Sequence, residues 1–193
     1  MNALAEALRE GECILWATDT VYGLAALPAS AGYHDIFRLK RREESQTLPW
    51  LVASPSALDR YGCEVPAYAY KLAELWPGGL TLVVKASGEA HALGGVAADG
   101  TVALRVPNEA TCLAVLSELD APVACTSANL HGHPAPNALD DVDDAFMALP
   151  HDEAMPARCA GGVSSTIVDC TGLTPRILRE GPIFAEQIYA LAR

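Results

Sequence analysis

Short apolar runs bounded by turn residues recur along the chain and predict buried strands. The predicted strands cover 13–17, 48–53, 80–84, 101–107 and 121–124. Two further strands, 164–170 and 175–179, are expected to form a hairpin through Thr171-Gly172. The chain therefore has enough strands for one sizeable sheet.

Apolar residues at helical spacing predict helices between these strands. The first helix has Leu4 and Leu8 on its apolar face and ends before Gly11. Others are predicted over 31–39, shortly after Pro55, over 67–75, from a cap at Asn108 to 119, over 139–149 and over 185–192. The pattern mixes helical crossovers with hairpins. It therefore predicts an α+β fold (α/β type) with a twisted mixed sheet, and it favours this over a regular doubly wound fold.

Small polar side chains follow two of the predicted strands. Thr18 and Thr20 come after the first strand, and the apolar run at 121–124 changes into Thr126, Ser127 and Asn129. Ligands of α/β sheets usually bind at the carboxyl ends of strands. These two polar edges are therefore candidate walls of a binding site.

Cations also lie at element ends: Lys40 and Arg42 after a helix, Arg105 near the end of a strand, and Arg179 near Ser165 of the hairpin. Convergent cations and hydroxyl donors are what polyphosphate binding requires. The chain has neither a GxxxxGK[ST] loop nor a GxGxxG turn. If a nucleotide binds, side chains must hold it.

Composition narrows the class of protein. With 193 residues, 51% of them hydrophobic, one domain over 1–193 is expected. The net charge of −11 opposes attraction to nucleic acid or to an anionic membrane. The six cysteines form no CxxC pair, which predicts reduced thiols. The N-terminus does not resemble a signal peptide, and no apolar run is long enough to span a membrane. We therefore expect a soluble, cytoplasmic protein.

Other chemistry is less well supported by the pattern. Cys125 with His131 or His133 could form a thiol nucleophile and base, but Cys125 continues an apolar strand and is typical of a small buried residue. His131 and His133 lack a third metal ligand nearby. The aspartates at 140–144 fit a solvated helix start better than a magnesium site.

Six segments, taken in order and spacing, resemble the YrdC-like family, whose best understood members are threonylcarbamoyl-AMP synthases. They are Thr18-Asp19-Thr20-Val21-Tyr22-Gly23-Leu24, Lys40-Arg41-Arg42, Leu75-Trp76-Pro77-Gly78-Gly79-Leu80-Thr81, Val102-Ala103-Leu104-Arg105-Val106-Pro107, Thr126-Ser127-Ala128-Asn129 with Gly132, and Ser165-Thr166-Ile167-Val168-Asp169 followed by Arg179-Glu180-Gly181. The resemblance covers nearly the whole chain. It implies a YrdC-like fold, a twisted mixed sheet with flanking helices around a concave cavity.

The resemblance also implies a reaction that joins L-threonine, bicarbonate and ATP into threonylcarbamoyl-adenylate and pyrophosphate, for modification of tRNA at adenosine 37. The implied catalytic residues are Lys40, Arg42 and Arg105, and the implied threonine-binding residues are Thr18, Thr20, Arg105 and Ser165. The implied ATP-binding residues are Lys40, Arg42, Gln46, Thr101, Thr126, Ser127, Asn129 and Arg179. Mg²⁺ would arrive on the phosphates, the product would pass to tRNA threonylcarbamoyl-transfer proteins, and direct tRNA binding would be weak or absent.

The chain departs from the family pattern after its basic motif. Glu43, Glu44, Ser45, Gln46 and Thr47 stand where the family commonly has a proline and a further Lys or Asn before a Pro/Gly-Leu pair. A paralogue that uses another amino acid or carbamoyl donor therefore stays open as an alternative. The resemblance leaves a second alternative, an RNA-binding module without synthase activity.

Overall fold

The computed structural model describes residues 2–44 and 47–193. Its helices are α1 (Ala3–Arg9), α2 (Ala31–Lys40), α3 (Ala57–Tyr61), α4 (Ala67–Leu72), α5 (Gly88–Leu93), α6 (Ala110–Leu119), α7 (Asp144–Met147) and α8 (Ala185–Leu191). Its strands are β1 (Ile14–Ala17), β2 (Tyr22–Ala26), β3 (Trp50–Leu51), β4 (Gly62–Cys63), β5 (Leu80–Ala86), β6 (Thr101–Arg105), β7 (Val123–Ser127), β8 (Thr166–Asp169) and β9 (Arg176–Arg179). No helix in these two ranges has the length and hydropathy that a membrane crossing needs.

The strands form one mixed sheet in the order β1-β2-β7-β3-β6-β5-β8-β9, with β4 paired to β5 outside this path. The β3–β6 and β5–β8 pairs are parallel, and the remaining pairs are antiparallel. Helices flank the sheet. The predicted fold class is therefore confirmed.

One face of the sheet forms most of the hydrophobic core. Residues paired in register point to the same side of a sheet, and Leu82, Leu104, Trp50 and Ala124 follow one another in this way across four strands. All four are fully buried. They belong to one cluster with apolar residues of α3, α4, α5 and α8, so these helices cover this face.

The opposite face is covered over only part of its width. On β1, β2 and β7 the register pairs Ile14 with Ala25 and Ala25 with Cys125, and these residues pack against α1 and α6. Beyond β3 the same face continues through Arg105 and Val83, which line a cavity instead of a helix. The cavity is therefore the uncovered half of this face.

Several predicted elements need correction. The cap of α6 is Glu109, whose carboxylate accepts the Cys112 N–H at 2.8 Å, and not Asn108. The helix predicted over 139–149 is a 3₁₀ turn, Leu139–Asp141, followed by α7, because the side chain of Asp143 caps a new helix start. The strand predicted over 48–53 is only β3, since Pro49 has no N–H for the ladder.

Strand β2 was not predicted. Its residues follow Thr18 and Thr20, and the sequence pattern there predicts a polar strand end. Gly23 also lowers the strand propensity of this segment. In the structure β2 is fully buried between β1 and β7. Side-chain size explains the glycine, because a Cβ at position 23 would lie 2.8 Å from the sulfur of Cys125 on the neighbouring strand.

Candidate active site

A cavity of about 450 Å³ opens on the uncovered half of the sheet. It is lined by nine of the residues singled out from the sequence: Thr18, Thr20, Arg42, Thr101, Arg105, Thr126, Ser127, Ser165 and Arg179. These residues come from segments far apart in the chain. The structure therefore brings the two predicted polar edges and three of the predicted cations to one place.

Arg105, at the end of β6, is held rigidly at the cavity wall. Its guanidinium donates to the carbonyl oxygen of Gly78 at 3.0 Å, to Oγ1 of Thr20 at 3.0 Å and to Oδ1 of Asp19 at 2.5 Å. A guanidinium has five N–H donors, and these bonds use three of them. Two N–H groups therefore remain to bind a carboxylate or phosphate.

The hydroxyl groups of Thr18 and Thr20 form a hydrogen-bonded pair beside Arg105. The Thr18 hydroxyl donates to the carbonyl oxygen of Val21 at 2.6 Å, so at the 2.9 Å contact between the two threonines Thr20 must be the donor. Oγ1 of Thr20 meanwhile accepts from Arg105. Both hydroxyl hydrogens are therefore already used in hydrogen bonds. The cluster is preorganised before any ligand binds.

Arg179 extends from β9 over the opposite wall. Its Nε and Nη2 donate to the carbonyl oxygen of Ser165 at 3.0 and 2.9 Å, and the Ser165 hydroxyl lies 2.8 Å from that of Thr81. Burial lowers the pKa of Arg179, and the nearby charge of Arg105 lowers it further. Two cations that repel each other in this way favour an anion between them.

Arg42, two residues after the end of α2, also lines the cavity. Its Nη2 donates to the carbonyl oxygen of Thr47 at 3.4 Å, and its guanidinium carbon lies 6.0 Å from the centre of the Phe37 ring. Burial lowers the pKa of Arg42. Anion binding would offset that desolvation, so Arg42 adds a third cation to the site.

Two predicted site residues that the structure describes, Lys40 and Asn129, do not line the cavity. Lys40 is 2% exposed, and its ammonium donates to the carbonyl oxygens of Ser127 and Asn129. Asn129 uses its side-chain amide within its own loop. Gln46 lies outside the described residues. The roles proposed for these residues toward phosphate and nucleotide stay predictions.

Several cavity residues were not predicted as site residues. Thr81 and Asp169 each lie in a segment that carries the family resemblance, and Thr81 also interrupts an apolar strand, so the sequence held a signal for both. Asp169 and Arg176 pair at 2.8 Å on the hairpin. Their place at this cavity depends on the β5–β8 pairing, which joins the hairpin to the sheet and which no local pattern of residues contains.

Asp169 shows how hydrogen bonds keep a partly buried carboxylate ionised. Burial alone would raise its pKa, but donation from the hydroxyl and N–H of Thr171, together with Arg176, lowers the pKa overall. Asp99 likewise accepts from the hydroxyl of Thr101 at 2.7 Å. The cavity carboxylates of Asp169 and Asp99 are therefore already engaged, and so is the carboxylate of Asp19, which pairs with Arg105.

Comparison with known proteins shows the family of this chain. The Sua5/YciO/YrdC family model, described as "Telomere recombination", matches residues 6–181. The chain belongs to this family. Threonylcarbamoyl-AMP synthase of Bacillus subtilis is 34% identical over 97% of the chain, and a putative threonylcarbamoyl-AMP synthase of Mycobacterium tuberculosis is 36% identical over 94%.

Solved structures of the Sua5/YciO/YrdC family share the fold. Pyrococcus abyssi Sua5 complexed with L-threonine superposes with a TM-score of 0.86 and 32% identity over 98% of the chain. Escherichia coli YciO, at 22% identity over 96% of the chain and 91% of its own length, has a TM-score of 0.83 and supports the fold alone. The chain spans 55% of the B. subtilis relative, 56% of the P. abyssi Sua5 chain and 84% of the M. tuberculosis relative.

Cys125 is the residue of this Sua5/YciO/YrdC cavity that most resembles a nucleophile, and its surroundings argue against that role. Burial raises the pKa of its thiol to about 11, although the Trp16 indole donates to the sulfur at 3.4 Å. A thiol, not a thiolate, is therefore present at neutral pH, and only the thiolate is an effective nucleophile. Among the described residues, no three His, Cys, Asp or Glu side chains form a metal-binding group.

Proposed function

We propose that this protein is a threonylcarbamoyl-AMP synthase. It would join L-threonine, bicarbonate and ATP, release pyrophosphate and so carry out the first step of threonylcarbamoyladenosine formation in tRNA. The observation that carries the proposal is the convergence of Arg42, Arg105 and Arg179 on one cavity lined with hydroxyl groups. The names of the relatives and the L-threonine complex of P. abyssi Sua5 support the same activity.

The chemistry suits this cavity. The threonine amine and bicarbonate condense to a carbamate with loss of water. A carbamate oxygen then attacks the α-phosphorus of ATP, and the bond from that phosphorus to the oxygen bridging to the β-phosphate breaks, so that pyrophosphate leaves with this oxygen. Two anions must approach each other while negative charge grows on pyrophosphate. Fixed guanidinium groups oppose the repulsion, and alignment of the reactants supplies much of the rate enhancement. No protein nucleophile is needed.

The threonine end of the site is assigned to Thr18, Thr20 and Arg105. The two free N–H groups of Arg105 would bind the threonine carboxylate, since Arg and carboxylate match as a charge-assisted pair. Arg42 and Arg179 would bind the phosphates, with Ser165 closing the pocket. Thr101, Thr126 and Ser127 would contact the nucleotide.

Mg²⁺ would enter as part of the substrate, on the ATP phosphates. The cavity carboxylates of Asp99 and Asp169 are already engaged by Thr101 and by Thr171 with Arg176, and Asp19 is paired with Arg105. The phosphates themselves are therefore the natural oxygen ligands. The product would pass to a tRNA threonylcarbamoyl-transfer protein in the cytoplasm. The net charge of −11 favours transfer through a partner over direct tRNA binding.

Pyrophosphate release from ATP tests the proposal directly. We expect release only when threonine and bicarbonate are both present, and a loss on the order of 100-fold or more in Arg105→Ala. Arg9→Ala, which removes only exposed contacts with the side chain and carbonyl oxygen of Glu118, is the control and should keep full activity.

Two results would replace the proposal with an alternative. Turnover with another amino acid but not with threonine would indicate a paralogue with a different substrate. Tight tRNA binding with a steep salt dependence and no pyrophosphate release would indicate an RNA-binding module.

A further inference from the structure

A buried lysine supports residues 127–133, the last residue of β7 and the loop that follows it, called here the 127–133 loop. Lys40 is the last residue of α2, and its Nζ donates to the carbonyl oxygens of Ser127 and Asn129, the latter at 2.5 Å. Its own carbonyl oxygen accepts the His131 N–H at 3.0 Å. Lys40 therefore contacts this loop at three of its residues.

Asn129 completes the same network from inside the loop. Its Nδ2 donates to the carbonyl oxygens of Leu130 at 2.8 Å and His133 at 2.7 Å, and its Oδ1 lies 3.4 Å from the Lys40 ammonium. A side-chain amide has two N–H donors. Both are used within the loop, so none remains for a ligand.

We propose that Lys40 and Asn129 are positioning residues, which shape the 127–133 loop and set Thr126 and Ser127 at the cavity wall without touching substrate. The proposal deepens the proposed function, on which its substrate part rests. Thr126 and Ser127 line the cavity, whereas Lys40 and Asn129 are not among its lining residues.

The energetics favour this role over phosphate binding. If the Lys40 ammonium moved to a phosphate, the carbonyl oxygen of Asn129 would lose its donor, and that of Ser127 would keep only the Asn129 N–H at 3.0 Å. A partly buried acceptor left without its donor is costly. Burial, and then the nearby charge of Arg42, lower the pKa of Lys40 to about 8, while Cys125 acts in the opposite direction. An amine so shielded from water is also shielded from a ligand in the cavity.

The loop in turn is tied to the threonine side of the site. The Ala128 N–H donates to the carbonyl oxygen of Tyr22 at 2.8 Å, and Ser127 pairs with Gly23 in the β2–β7 ladder. A shift of the loop would therefore move the Thr126 and Ser127 side chains. Activity should depend on Lys40 even though Lys40 meets no substrate.

Nuclear magnetic resonance of ¹³C-labelled lysine, with pyrophosphate as the probe, tests whether Lys40 meets phosphate. We expect the Lys40 Cε signal to titrate near pH 8 and to keep the same midpoint when pyrophosphate saturates the protein. Direct contact with the anion would raise that midpoint by about one unit or more, and this result would overturn the proposal.

Two variants test the positioning role itself. Lys40→Met and Asn129→Leu should each speed amide hydrogen exchange at Ala128 and His131 in the ligand-free protein, and lower kcat/KM for threonine by roughly tenfold. The double variant should be no worse than the poorer single variant, because both side chains act through one loop. The proposal would be contradicted if the double variant lost kcat/KM by the product of the two single losses. It would also be contradicted if amide exchange at Ala128 and His131 stayed unchanged.

Matched controls separate this inference from the proposed function. Lys85→Met removes an exposed lysine paired with Glu64 and should change neither exchange in the loop nor activity. Arg42→Gln should weaken pyrophosphate binding without loosening the loop. If the unaltered protein binds neither ATP nor pyrophosphate, the proposed function fails, and the exchange of Ala128 and His131 in the ligand-free variants still decides the positioning role.

Discussion

Asp19 and Arg105 form a nearly buried ion pair, with side chains 12% and 8% exposed. A guanidinium in such a place needs a fixed partner, because desolvation of an unpaired charge is expensive. Asp19 therefore orients Arg105 while leaving it able to bind a ligand. Asp19 was not predicted as a site residue, although it lies between two threonines that were.

The first prediction concerns this pair. Asp19→Asn should raise the KM for threonine about tenfold and lower the free energy of unfolding by about 1–3 kcal/mol, since the buried guanidinium loses its counter-charge but keeps a hydrogen-bond acceptor. Steady-state kinetics and urea unfolding measure both effects. Asp59→Asn, at an exposed site, should change neither; an unaltered threonine KM in Asp19→Asn would remove Asp19 from the site.

The second prediction concerns pH. The pKa of Asp169 is lower in the folded protein than its ordinary value of 3.8, so the unfolded chain binds the proton more readily. The stability that Asp169 contributes is present above pH 3.8 and is lost as the pH falls through the folded value. Urea unfolding at a series of acidic pH values should show a smaller loss of stability in Asp169→Asn. Parallel losses in both proteins would show that Asp169 adds nothing.

At the scale of elements, the turn at 159–162 supports the threonine-binding segment. The N–H groups of Gly161 and Gly162 donate to the carbonyl oxygens of Asp19 and Thr20, each at 2.8 Å. A Cβ at Gly161 would lie 2.7 Å from the Asp19 carbonyl oxygen, which is too close for any side chain. The glycine thus allows two distant segments to pair closely.

The third prediction follows from that approach. Gly161→Ala should lower the thermal midpoint and raise the KM for threonine, because the backbone of Asp19 has to move. Gly88→Ala is the matched control: nothing lies within 4 Å of a Cβ there, and alanine at the start of α5 should leave stability unchanged or raise it slightly. Equal behaviour of the two variants would argue against a close 19–161 contact.

At the scale of the whole molecule, the sheet separates stability from ligand binding. Val84 of β5 is fully buried beneath the helices, whereas its neighbour Val83 lines the cavity on the other face. Alternation along one strand therefore sends adjacent residues into different environments. The hydrophobic core lies on one face of the sheet and the cavity on the other. Residues that line the cavity can therefore change without loss of the fold.

The fourth prediction compares these two valines. Val84→Ala should lower the free energy of unfolding by about 2 kcal/mol, through lost burial and the void left behind. Val83→Ala should cost less than about 1 kcal/mol and should change ATP affinity more than Val84→Ala does. Urea unfolding and calorimetric titration with ATP measure the two quantities; the reverse order would show that the faces are assigned incorrectly.

The sequence alone determined most elements and the residue types of the site. Helix α1, strands β1, β5 and β6 and the β8–β9 hairpin were predicted, because apolar periodicity reports directly on which side of an element is buried. Polar residues after apolar strands marked the cavity walls for the same local reason. The elements missed were β2, β4 and α5, and those predicted with wrong bounds were β3, β7 and the 139–149 region. They depend on long-range pairing or on a local cap that periodicity does not report.

Only the tertiary structure decided where each cation points. Lys40 and Arg42 are two residues apart, yet Lys40 turns into the interior and Arg42 into the cavity, because Arg41 between them ends α2 in a left-handed conformation with φ of 51°. The same holds for the cavity itself: it exists where α1 and α6 stop covering the sheet. Such coverage depends on contacts between segments far apart in the chain, which no local pattern of residues contains.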